Sequence, residues 1–134
     1  MRAAVVTVLF VALAPARAWG WGAGISGFSG RNGATCSECH FGGTAPMVTL
    51  SGPASLLAGQ TATYTLDVIT GASTAKVGFD VAAEAGTLGT VAGQPNESWI
   101  DNGELAHTKN WPSGKTVQVQ FTFTAPADPG PPAR

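Results

Sequence analysis

The stretch Thr116-Val117-Gln118-Val119-Gln120-Phe121-Thr122-Phe123-Thr124 alternates without a break: Val117, Val119, Phe121 and Phe123 fall on one face, and Gln118, Gln120, Thr122 and Thr124 on the other. A period of two, with β-branched and aromatic residues on the apolar side, describes a strand with one face in a core and one in water. No helical window of useful length competes with it in the body of the chain. The fold class is therefore all-β.

Working back from that strand, residues 61–69 repeat the pattern, with Ala62, Tyr64, Leu66 and Val68 on one side and Thr61, Thr63, Thr65 and Asp67 on the other. Residues 76–83 do so again, placing Val77, Phe79, Val81 and Ala83 inward and Lys76, Gly78 and Asp80 outward. Residues 47–50 form a first short strand, closed by Ser51-Gly52-Pro53, and residues 87–91 a strand expected to pair beside 76–83 after the turn at Ala85-Gly86. Residues 98–100 and 104–108 flank Asp101-Asn102-Gly103, a strong hairpin signal. Strands spaced about ten residues apart and bounded by Gly and Pro predict a small antiparallel β-sandwich of immunoglobulin-like type. The final Pro-rich run cannot continue a strand. A sandwich whose clearest strand precedes such a run is expected to present an open edge there, which points to sequence missing beyond it.

The chain opens on Met1 and Arg2, an apolar run over residues 3–14, and the small-x-small site Ala16-Arg17-Ala18. This is the pattern of a secretory signal peptide; the apolar core is too short for a membrane span, which needs about 20 residues. Cleavage after Ala18 leaves five basic against eight acidic residues and no basic cluster, which argues against nucleic acid as a partner. The organisation expected is a signal peptide over 1–18, a Gly-rich arm with the motif described next over 19–45, a β-sandwich over 46–125 and a Pro-rich tail over 126–134. The arm has glycine at almost every second or third place, which suits close wrapping of a flat cofactor, with Trp19, Trp21, Ile25 and Phe28 as apolar contacts. A flexible terminal linker is the plainer reading.

Both cysteines of the protein and one of its two histidines lie in Cys36-Ser37-Glu38-Cys39-His40. Cys-x-x-Cys-His is the attachment sequence of c-type haem: two thiols for thioether bonds to the porphyrin and an imidazole for the iron. Export into an oxidising compartment, where free thiols do not ordinarily persist, agrees with cysteines that are covalently used. Cys36 and Cys39 are expected to hold one covalent haem c and His40 to ligate its iron. His107 is the expected second axial ligand, giving bis-histidine coordination, because it is the only other histidine. Met47 competes, but seven residues from His40 reach at most about 23–25 Å fully extended, barely enough to round the macrocycle, and Met47 suits the first core position of its strand.

These elements together are similar to the bacterial choice-of-anchor V group of envelope proteins, whose domain resembles the eukaryotic reeler domain. The resemblance is carried by Ser29-Gly30 leading to Cys36-Ser37-Glu38-Cys39-His40, Gly52-Pro53, Gly59-Gln60 followed by Tyr64, Val77-Gly78-Phe79 before Ala82-Ala83, Glu104-Leu105-Ala106-His107-Thr108, and Phe121-Thr122-Phe123-Thr124-Ala125-Pro126. It implies a reeler-like sandwich and an envelope or surface haem protein, and places His107 in the group's Glu-Leu-x-His-Thr element. It also implies a further strand and often an anchoring tail after Thr-Ala-Pro, neither of which follows here.

Rival chemistries are weaker. Cys36, Cys39, His40 and His107 are nominally a zinc set, but adjacent Cys39 and His40 are hard to aim at one tetrahedral metal. No βαβ pattern surrounds the cysteines as a thioredoxin-like site requires, although a plain Cys36–Cys39 disulfide stays open. The carboxylates are scattered, and no Ser-His-Asp or phosphate-loop pattern exists, so an enzyme is not expected. The expected function is one-electron transfer with a redox partner in the cell envelope. A surface binding or adhesion module with structural haem or metal, and a haem-based small-ligand sensor, are the alternatives.

Overall fold

The computed structural model describes residues 23–40, 44–73, 76–94, 97–108 and 114–128. The expected signal peptide, Trp19 and Trp21, and the end of the tail lie outside them. The described chain is all-β and antiparallel. Its strands are β1 (Met47–Ser51), β2 (Thr61–Ile69), β3 (Asp80–Val81), β4 (Thr87–Thr90), β5 (Ser98–Asp101), β6 (Glu104–His107) and β7 (Thr116–Thr124), preceded by a single 3-10 turn over Cys36–Glu38. They form a four-stranded sheet in the order β1-β2-β7-β4 and a three-stranded sheet in the order β3-β6-β5.

Alternation dictates the packing. Leu66 and Val68 of β2, Leu88 of β4, and Val117, Val119 and Phe121 of β7 meet Leu105 of β6 together with Val77 and Phe79 from the extended run before β3. Leu105 and Val119, one from each sheet, are wholly enclosed. Tyr64 stacks on Phe121 at 5.9 Å between ring centroids and meets Phe123 edge-on at 6.2 Å, closing one end of the core.

Two expectations are corrected. Strand β4 pairs with β7 in the other sheet, not with the 76–83 strand, so the turn between them is a crossover between layers. Strand β7 pairs with β2 along its length and with β4 over residues 121–124, so the part of it that precedes the Pro-rich run is covered on both sides. The long exposed edge is β1, whose five residues are all exposed. The β5–β6 hairpin forms as expected: Asn102 at φ 49° and Gly103 at φ 82° supply the two left-handed positions of a tight hairpin turn.

Candidate functional site

Residues 24–29 dock on the three-stranded sheet as an arm that leads into the motif at 36–40. At its start the Gly24 N–H donates to the carbonyl of His107 at 2.9 Å. A Cβ at Gly24 would stand 2.1 Å from that oxygen, so only glycine admits so close an approach. Further on, four consecutive arm residues each donate to a carboxylate of the sheet. Ser26 Oγ donates to Asp101 Oδ2 (2.8 Å), Gly27 N–H to Glu104 Oε2 (2.5 Å), Phe28 N–H to Asp80 Oδ2 (2.9 Å) and Ser29 Oγ to Glu104 Oε1 (3.0 Å). Asn102 Nδ2 adds a bond to Ser26 Oγ at 3.0 Å. A segment outside any strand ladder must find other acceptors for its N–H groups, and here Gly27 and Phe28 find carboxylates and Gly24 a backbone carbonyl.

Beyond the clasp the arm doubles back through a bridge between Ser29 and Thr35 and enters the motif. The Thr35 N–H donates to Glu38 Oε1, and the Glu38 N–H to the Thr35 carbonyl, which closes the start of the turn. The His40 N–H then donates to the Cys36 carbonyl at 3.0 Å. In a 3-10 turn residues three apart eclipse, so Cys36 and Cys39, at its start and its cap, fall on one side, with His40 next in the chain. All three are exposed and both thiols are free. The Cys36 thiol points to the Phe28 carbonyl at 3.8 Å. Partial burial against the arm and the nearby Asp80 charge push its ionisation up, opposite to the depressed value of an exchange-active thiol.

His107 sits elsewhere. Along β6, Glu104 and Ala106 face outward beneath the arm, while Leu105 and His107 face the core by the strict alternation of a strand. The His107 ring is 7% exposed, packs on Phe79 at 5.8 Å and has Nδ1 at 3.3 Å from the Phe79 nitrogen. Burial lowers its basicity, opposed by the Phe79 carbonyl. The structure therefore does not bring His107 to the face of the Cys36-to-His40 turn. Met47, 63% exposed, stands at the start of edge strand β1 and not in the core. Among the described residues no three His, Cys, Asp or Glu side chains are gathered so as to hold a metal ion. No helix among them is long and apolar enough to cross a membrane.

Asp80, Asp101 and Glu104 were not among the residues expected to matter. Asp101 and Glu104 flank the β5–β6 turn but Asp80 comes from a separate stretch of sequence, and only the β3-β6-β5 register assembles the three. Comparison with protein-family models, with curated proteins and with solved structures gave no match.

Proposed function

We propose that this chain is an exported monohaem c-type cytochrome-like protein that passes single electrons in the cell envelope, akin to the choice-of-anchor V and reeler-like envelope domains. The observation that supports the reading most is the closed turn in which Cys36, Cys39 and His40 are all exposed and both thiols are free. Covalent attachment needs two accessible thiols and an adjacent imidazole, and the turn offers that set without any rearrangement of the core. Cys36 and Cys39 would hold the haem and His40 its iron; bound haem would supply a one-electron iron couple.

His107 enters less easily. To reach iron it would leave its seat against Phe79, so the favoured version has His40 as the single protein ligand from the described residues. That geometry favours the small-ligand sensor as the second reading, because a one-histidine iron keeps a position for an external molecule.

The test is expression with a cytochrome c maturation system. The expected result is a Soret band and a pyridine haemochrome that survive acid-acetone extraction, lost in Cys36→Ser/Cys39→Ser. Absence of covalent haem sinks both haem readings. With haem present, a low-spin spectrum that turns high-spin in His107→Ala would restore His107 as a ligand.

A further inference from the structure

The arm is held by carboxyl groups that also touch one another. Asp80 of β3 accepts from Phe28 and Glu104 of β6 from that residue's neighbours Gly27 and Ser29, so the two carboxyl groups stand side by side beneath the arm and act on each other's ionisation; two charges so placed repel unless a proton is shared between them. Both Glu104 oxygens already accept from the arm, from Gly27 and Ser29. One Asp80 oxygen, Oδ2, accepts from Phe28. The other, Oδ1, is buried and meets no N–H or hydroxyl donor of the described chain. Of the four carboxyl oxygens, Asp80 Oδ1 is thus the one left to carry a proton.

The geometry points to a proton-operated clasp: the arm that carries Cys36, Cys39 and His40 docks on the sandwich while the Asp80–Glu104 pair shares one proton, and undocks when that proton is lost. The inference does not rest on haem, since the clasp engages residues 26–29 ahead of the motif.

The surrounding charges agree. Asp101 of β5 repels Asp80 from one side, and Cys36 of the arm lies within electrostatic range on another. Arg31 of the arm is the cation that steadies ionised Glu104. Burial first, then Glu104 and Asp101, push Asp80 up to about 6, against the Phe28 N–H that lowers it. Glu104 is held below the usual range, chiefly by the Gly27 N–H. The unequal environments make Asp80 the acid and Glu104 the carboxylate of the pair. Because Asp80 is raised in the docked state, docking is strongest below its ordinary value near 3.8 and weakens as pH rises through about 6. Ionisation of Glu104 acts oppositely, but only near and below its ordinary 4.5.

The experiment is amide hydrogen exchange on the whole chain without haem, each rate divided by the unstructured rate at the same pH. Between pH 4.5 and 7 the protection of the Gly27 and Phe28 amides is expected to fall roughly tenfold, while that of Val119 and Leu105 holds. In Asp80→Asn the amide can donate to Glu104 and still accept from Phe28, so protection is expected to stay high and flat. Glu104→Gln, with a donor of its own for Asp80, is expected to flatten the profile too and serves if Asp80→Asn does not fold. Flat arm protection in the unaltered chain, an arm never protected, a fall shared by Val119, or an unchanged fall in the folded variants each overturns the clasp.

Discussion

The Nδ1 atom of His107 lies 3.3 Å from the backbone nitrogen of Phe79, while the His107 carbonyl accepts instead from Gly24 of the arm. In a regular antiparallel pair that carbonyl would take the Phe79 N–H. The arm has captured the ladder acceptor, and the imidazole serves as its replacement. A residue that looks like a spare ligand is thus part of how the arm joins the sheet.

His107→Ala is accordingly expected to destabilise the fold by about 2–4 kcal/mol, from the lost ring packing and an N–H left without its acceptor. Urea unfolding at neutral pH measures it. His107 also carries a pH signature. Burial lowers its folded value below 6.5, so the unfolded chain binds the proton more readily. Its contribution is complete above pH 6.5 and is lost as pH falls through the lowered value. A proton on Nδ1 would turn toward the Phe79 carbonyl, 3.4 Å away, and release the Phe79 N–H. His107→Gln should remove this component from the pH dependence of the urea midpoint.

Gly24→Ala is expected to push the arm away from β6. The new Cβ meets backbone oxygen at His107 and the Ala106 side chain at 2.9 Å, neither of which can rotate aside. A loss of about 1–3 kcal/mol follows from overpacking. It should appear first as faster exchange of the Gly24 and Gly27 amides, with the β2 and β7 amides little changed.

Strands β2 and β7 and the β5–β6 hairpin are legible in the sequence because each states its period or its turn plainly. Strand β6 hides its alternation: Glu104, Leu105, Ala106 and His107 are all buried, since the core covers one face and the arm the other. From sequence, such a stretch cannot say which way His107 points. Asp80 reads as an outward residue of an amphipathic strand, which is correct, but outward here means beneath the arm and not into water. The partner of β4 was hidden for another reason. A turn at Ala85-Gly86 suits a hairpin or a crossover between layers equally well, and long-range packing decides between them.

Glu104→Ala is expected to cost about 2–3 kcal/mol, because Gly27 and Ser29 lose a charged acceptor together. Asp101→Ala should cost less, under about 1 kcal/mol, since Ser26 keeps its contact with Asn102. The Glu104 contribution is present above pH 4.5 and lost as pH falls through its lowered folded value. Acid unfolding of the native chain and of Glu104→Gln, followed by circular dichroism, should differ in that range.

Leu50 and Leu66 are register partners on β1 and β2, and therefore face the same way, yet Leu66 is 8% exposed and Leu50 59%. Val48 and Val68 repeat the contrast at 54% and 5%. The three-stranded sheet covers β2 but does not reach beneath β1, and an open apolar groove of about 240 Å³ remains between Leu50, Tyr64, Val81 and Phe123. Leu66→Ala should then cost about 2–5 kcal/mol as a core truncation. Leu50→Ala should cost under about 1 kcal/mol, because little of its surface leaves water on folding. Urea midpoints of the two variants read out the difference directly. Equal losses would mean that β1 is covered in solution by something that the described residues do not supply.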